Sequence, residues 1–342
     1  MKPGKIILLL GLIVLLSMGL SSGQNQSEPA ADNYSFYINK DFAQFFHSIY
    51  NPFTEIHLHG YFQDRHQQDT ILLRLTTEYI QGIYNKRNPE ELIEIINEIL
   101  KIDSISIAFW FNLGEQFFSL HQFDQAIKAY EKNLDLTGKM ARKPTILLYE
   151  HLGYCYHHYS KYNEEFTLYD CGLEEYPGHP SLIGRKAVCV YSMGKTKKMN
   201  ILIDQYITIL KNKEISESDI LYSLGILFLE SDNLKAENYF RDALKLNPDN
   251  VTKKGALAHI LVFYKVSTRS IQEAMILLED VLQKESLNPK FLHLQGLVYF
   301  RQERYVEAQE YLEKASNLYP EYNHPLQLQI NQVNEILKNR FK

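Results

Sequence analysis

The chain has 342 residues, 45% of them apolar and 23% charged, with 36 Lys and Arg against 41 Asp and Glu for a formal net charge of −5. That apolar content excludes wholesale disorder. The two signs are interspersed as on an ordinary solvated surface, so no concentrated basic face is offered to nucleic-acid phosphates.

The first residues read as a leader. Lys2 and Lys5 make a short basic start, residues 6–20 carry no charge, and Ser21, Ser22 and Gly23 supply small residues for cleavage. This is the three-part pattern of a secretory signal peptide over residues 1–23. A helix over residues 6–20 rises only about 22 Å, short of the roughly 30 Å hydrocarbon core of a bilayer. Removal near Gly23 takes the formal charge from −5 to −7 and predicts an exported, periplasmic or extracellular protein. The alternative is membrane anchoring through residues 6–20. Three cysteines, Cys155, Cys171 and Cys189, are too few and odd in number for a disulfide framework. Burial as small apolar side chains within helices is the expectation, and a Cys155–Cys171 bridge the alternative. Asn25, Asn33 and Asn250 open Asn-x-Ser/Thr acceptor patterns.

Residues 24–66 form an N-terminal arm. Gln24–Asp32 is polar and reads as flexible, whereas Tyr34–Phe62 is dense in aromatics and predicts a short helix near Asp41–Tyr50. His57 and His59 share one side of an extended stretch, a metal-compatible pattern, but no further ligand spacing accompanies them and no metal is expected. Residues 67–104 predict a capping helical hairpin or degenerate repeat, Thr70–Asn85 and Pro89–Ile102, with Asn88-Pro89 starting its second helix.

From residue 105 to 322 the sequence repeats. Trp110-x-x-Leu113-Gly114-x-x-Phe117 is followed by Ala126-x-x-x-Tyr130. Much later, Leu292-x-x-x-Gly296-x-x-Tyr299 is followed by Ala308-x-x-x-Leu312, Ala315 and Pro320. Between them lie Tyr149, Leu152-Gly153, Tyr156, Tyr169 and Pro177, then Leu221, Leu224-Gly225, Phe228, Ala236, Phe240, Ala243 and Pro248. Weaker units centre on Ala187 and Ala258. The six small residues Gly114, Gly153, Ala187, Gly225, Ala258 and Gly296 are spaced by 39, 34, 38, 33 and 38 residues. A small residue at a helix crossing admits a neighbouring helix that a larger side chain would push away. Glu165 and Met199 occupy positions where Ala126, Ala236 and Ala308 sit in other units, which predicts looser packing in the second and third units. Residues 323–342 close the chain with a capping helix, apolar at Leu326, Leu328, Ile330, Val333, Ile336 and Leu337 and otherwise mostly polar.

These six units resemble the tetratricopeptide repeat (TPR) family, whose pattern is Trp-x2-Leu-Gly-x2-Tyr, then Ala-x3-Phe and a closing Pro. The resemblance implies an all-α, right-handed superhelical solenoid of helix-turn-helix repeats. It implies that first helices line a concave groove which binds another protein or a peptide. The groove positions it selects are Phe111, Glu115, Phe118, Tyr154, His157, Tyr191, Tyr222, Leu229, His259, Leu297 and Phe300. The Lys, Arg and Asn with which chaperone-binding relatives hold a terminal carboxylate are replaced here by Phe111, Glu115, Glu150 and Tyr154. An apolar peptide or amphipathic helix is therefore the expected ligand. The expected function is an exported interaction scaffold, with a chaperone-like module for unfolded envelope proteins as the alternative.

Nothing in the sequence points to catalysis. Gly194-Lys195-Thr196 resembles the end of a phosphate loop, but Cys189 stands where that motif needs Gly. His157 and His158 are adjacent on a helix and point about 100° apart, which does not suit one metal ion. Neither Gly-x-Ser-x-Gly nor His-Glu-x-x-His occurs. No catalytic residue, cofactor, metal or nucleic-acid partner is expected, and a membrane only if residues 6–20 are retained.

Overall fold

The computed structural model describes residues 70–340 with the exception of 230, 266 and 321. The leader read in residues 1–23, the arm of 24–66 with its Asp41–Tyr50 helix, and the His57–His59 pair lie outside the described residues.

The described residues form an all-α helical-repeat solenoid in which each helix packs on the next. A first hairpin joins α1 (Thr70–Tyr84) to α2 (Pro89–Ile102). Six repeat hairpins follow: α3 (Ile107–Ser119) with α4 (Phe123–Lys139), α5 (Ile146–His158) with α6 (Tyr162–Glu175), and α7 (Pro180–Ser192) with α8 (Thr196–Asn212). The last three are α9 (Glu217–Phe228) with α10 (Asn233–Leu246), α11 (Val251–Phe263) with α12 (Thr268–Lys284), and α13 (Pro289–Arg301) with α14 (Tyr305–Leu318). A terminal helix, α15 (His324–Arg340), lies against α14.

Local chemistry sets these boundaries. Ser106, Thr145, Ser216, Asn250 and Asn288 each precede a first helix and accept a hydrogen bond from one of its orphan N–H groups. Within hairpins the first helix ends in a left-handed residue, such as His121 (φ 59°), Ser160 (φ 55°), Gly194 (φ 75°) or Glu303 (φ 60°). One such residue turns the chain enough for the second helix to fold back.

The small positions do what the repeat requires. A Cβ on Gly114 would stand 2.3 Å from the Tyr130 ring, and one on Gly225 2.5 Å from Phe240. Ala187 and Ala258 are wholly buried. The two helices of the second hairpin pack less extensively than those of the other five. The third hairpin, expected to be loose as well, is not: Met199 is buried and fills the space that alanine leaves elsewhere.

Cys155 and Cys189 are buried, but Cys171 is exposed, and none of the three is bridged. Burial is therefore corrected for Cys171, because its position falls on the outer side of α6. Lys253 is 2% exposed and places its ammonium 2.6 Å from Asp219, tying α11 to α9 across hairpins. The ends of the described chain also meet: Lys86 Nζ, in the turn after α1, donates to the Asn317 carbonyl of α14 at 3.2 Å.

Candidate functional site

The eleven groove positions divide by burial. Phe111, Glu115, Phe118, Tyr222, Leu229, His259 and Leu297 are buried, while Tyr154, His157, Tyr191 and Phe300 are partly exposed. The cause is that first helices of neighbouring hairpins touch one another, α5 with α7, α7 with α9, and α11 with α13. Phe111 packs on Tyr130 and Tyr222 on Phe240, within their own hairpins. Tyr191 donates its hydroxyl to Asp232 at 2.7 Å.

Four of the eleven meet in one place. Phe118, Tyr154, His157 and Leu229 line a 340 Å³ cavity bordered by α3, α5, α6, α7 and the end of α9, so four successive repeat hairpins contribute to it. Leu297 and Phe300 line a second hollow of 210 Å³ with Val262, Phe263, Arg301, Gln329 and Gln332, between α11, α13 and α15.

The larger cavity holds a polar network that the groove positions alone do not contain. Glu165 projects from α6 at the alanine position, 2% exposed, with Oε2 at 2.9 Å from His157 Nδ1. His157 Nε2 lies 2.9 Å from Ser231 Oγ and 3.4 Å from Ser192 Oγ. One imidazole thus connects the second, third and fourth repeat hairpins. An ionised Glu165 can only accept, which puts a proton on Nδ1 and leaves Nε2 to accept from Ser231. Glu150, 3% exposed, accepts from Ser181 and stands 4.0 Å from Arg185 Nε. Behind the cavity, Glu115 accepts from Tyr130 Oη at 2.6 Å and lies 2.7 Å from His151 Nδ1. The His151 ring stacks on Phe118 with centroids 4.6 Å apart.

Burial raises the Glu165 carboxyl above its usual pKa, and the His157 contact only partly offsets that. The same desolvation pushes Cys189, beside Glu165, up well beyond an ordinary thiol. Neither group is a ready nucleophile.

Glu165, His157 and Ser231 have the hydrogen-bond order of a base-activated nucleophile. The described amides around Ser231 are committed elsewhere. It follows the C-terminal end of α9, where the N–H groups of Leu229, Ser231 and Asp232 are already bonded to the carbonyls of Ile226 and Phe228. Those amides are not available to an oxyanion. Among the described residues, no group of three or more His, Cys, Asp or Glu side chains is placed to hold a metal ion.

Arg185, His151 and Glu165 were not among the expected site positions, whereas Glu150 stands at one of the groove places where chaperone-binding relatives carry a clamp residue. A signal for one of them exists in the sequence: Glu165 stands where a tightly packed repeat needs alanine.

The tetratricopeptide repeat model matches residues 289–322, which contain α13 and α14. No curated protein matches the sequence. Among solved structures, the chain is similar to a tetratricopeptide repeat protein from Parabacteroides merdae, at 15% identity over 77% of this chain and 98% of that one, with a TM-score of 0.43. It is similar to the C-terminal part of a TPR repeat-containing protein from Cytophaga hutchinsonii, at 14% identity over 76% and 99% of the two chains, with a TM-score of 0.39. It is also similar to YrrB, described as a TPR protein with an unusual peptide-binding site, at 16% identity over 69% and 97%, with a TM-score of 0.31.

Proposed function

We propose that this protein is an interaction scaffold that holds a peptide segment of a partner protein against its first helices, with the cavity between the second and fourth repeat hairpins as the anchoring point. The observation that carries the reading is that cavity. A repeat solenoid built only for stability closes its hairpin crossings with alanine or glycine. Here the second hairpin carries a buried glutamate instead, and the space left open is lined by four hairpins. Partly exposed aromatics such as Tyr154 give a partner apolar surface with a polar edge, the composition that dominates binding energy at interfaces. The smaller hollow beside Leu297 and Phe300 offers the same peptide a second contact.

The test compares two sets of substitutions in the same protein. Tyr154→Ser with Phe300→Ser removes partly exposed inner-face rings, and Ile201→Ser with Ile276→Ser removes exposed apolar side chains from second helices. A partner cross-linked and recovered in cells is expected with the second pair and lost with the first. Loss with the second pair alone would sink the reading.

Export belongs to the same proposal and rests on the basic, apolar and small residues of positions 1–23. Among the described residues no helix is long and apolar enough to cross a membrane. N-terminal sequencing of the protein recovered from its host is expected to begin close to residue 24. An intact Met1 would contradict cleavage.

A further inference from the structure

We propose that the cavity bordered by α3, α5, α6, α7 and the end of α9 receives a cationic side chain, lysine or arginine, from the partner's peptide; this rests on the scaffold reading above.

Three features of the cavity, taken in balance, favour a cation. Glu150 and Glu165 line it, both almost wholly buried, and they come from different helices. Arg185 is the lining residue with a fixed positive charge; it stands 4.0 Å from Glu150 and acts on Glu165 as well, so one guanidinium serves two carboxylates. The second feature is helix direction. The C-terminal ends of α5 at His157 and His158, of α7 at Ser192, and of α9 at Leu229 all reach the lining. These three helices bring the negative ends of their dipoles there against one positive end, that of α6 at Tyr162, a balance that favours a cation over an anion. The third is the wall, to which Tyr154, Tyr162 and Tyr169 contribute rings of the kind whose faces attract ammonium and guanidinium groups.

Size narrows the occupant. A volume of 340 Å³ lies at the lower end of ligand pockets, about 300–1,000 Å³. That admits one long side chain and not a folded element. Burial holds the Glu165 carboxyl above its usual pKa even with His157 and Arg185 acting on it, so an entering cation adds to a compensation that the fold supplies only in part. A glutamate kept at a crossing where other repeats use alanine is a stability sacrifice of the kind binding sites carry.

The test selects a random displayed peptide library against the purified full chain. Selected peptides are then synthesised with each Lys replaced by norleucine and each Arg by citrulline. The expected result is a basic anchor whose neutral replacement weakens binding about tenfold or more. Glu165→Gln and Glu150→Gln, each checked for unchanged helicity, are expected to weaken the parent peptide comparably. Against those variants the neutral peptide should lose little more, since the paired charge is already gone. Peptides that bind through apolar or acidic anchors, indifferent to both Gln variants but lost with Tyr154→Ser, would overturn this inference and leave the scaffold reading standing. Saturation by the free diamine cadaverine with no peptide retained would overturn the peptide assignment in favour of a small amine. Failure to select any peptide dependent on Tyr154 would overturn both.

Discussion

Gly114→Ala is expected to destabilise the protein by about 1–3 kcal/mol, although alanine is the better helix former. The new methyl would stand 2.3 Å from the Tyr130 ring. Tyr130 cannot swing aside: it is wholly buried, and its hydroxyl donates to Glu115, itself 3% exposed. The clash therefore has to be met by separating α3 from α4, which loosens the crossing on which the next hairpin stacks. Gly138→Ala, on an exposed face of α4 with nothing within 4 Å of the added Cβ, is the matched control. There the propensity gain stands alone and should stabilise by up to about 1 kcal/mol. Gly153→Ala should fall between the two. Its methyl meets the tip of Tyr169 at 2.1 Å, but Tyr169 borders the cavity and has room to move. Urea denaturation of the three variants measures the order, and a Gly114→Ala protein as stable as Gly138→Ala would contradict this account of the crossing.

The second large effect is pH dependence. His259 in α11 is 4% exposed and burial lowers its pKa to about 3, with neighbouring His293 adding to the depression. His293 in α13 is lowered to about 4, again by burial, against a hydrogen bond to Gln329 that works the other way. Both imidazoles are therefore neutral in the folded protein, while the unfolded chain takes up protons near pH 6.5. Their stabilising contribution is complete above that pH and is lost as the pH falls toward 3–4. Between pH 7 and 5 His259 alone accounts for a loss of about 2 kcal/mol, and partly exposed His293 for somewhat less. Carboxylates at their ordinary pKa contribute little in that window, and comparing the variant with the parent isolates the share of His259. In His259→Leu the difference in unfolding free energy between pH 7 and pH 5 should shrink by about 2 kcal/mol. An unchanged difference would place the acid sensitivity elsewhere. Glu165 acts in the opposite sense: its raised pKa favours folding in acid and opposes it as the pH rises through that value, so Glu165→Gln should raise neutral-pH stability while it impairs binding.

The fold was legible because its signals are local and repeated. Asn88-Pro89 and the Ser, Thr and Asn caps fix helix starts within a few residues, and the small positions at Gly114, Gly225 and Gly296 act inside single hairpins. The candidate site was legible only in part. Phe118, Tyr154, His157 and Leu229 border the cavity, yet Phe111, Tyr222 and His259 are held inside the stack. The repeat pattern tells which side of a first helix a residue occupies, not whether the neighbouring first helix covers it. Glu165 read as a packing defect, and that reading was half the answer. Its chemistry depends on His157 eight residues before it and, through His157, on Ser231 two hairpins further on. Contacts between non-adjacent hairpins leave no mark in a repeat of about 34 residues.

The central claim, that partners are held at the inner cavity, is tested most directly by site-specific photo-cross-linking in the native host. A photoreactive residue is placed at Tyr154 in the cavity wall and, separately, at Leu234 and Ile276 on the exposed faces of second helices. The account predicts a discrete adduct of one partner from position 154 and none of that partner from 234 or 276. Adducts from 234 or 276 with none from 154 would contradict it and move the binding surface to the outer helices.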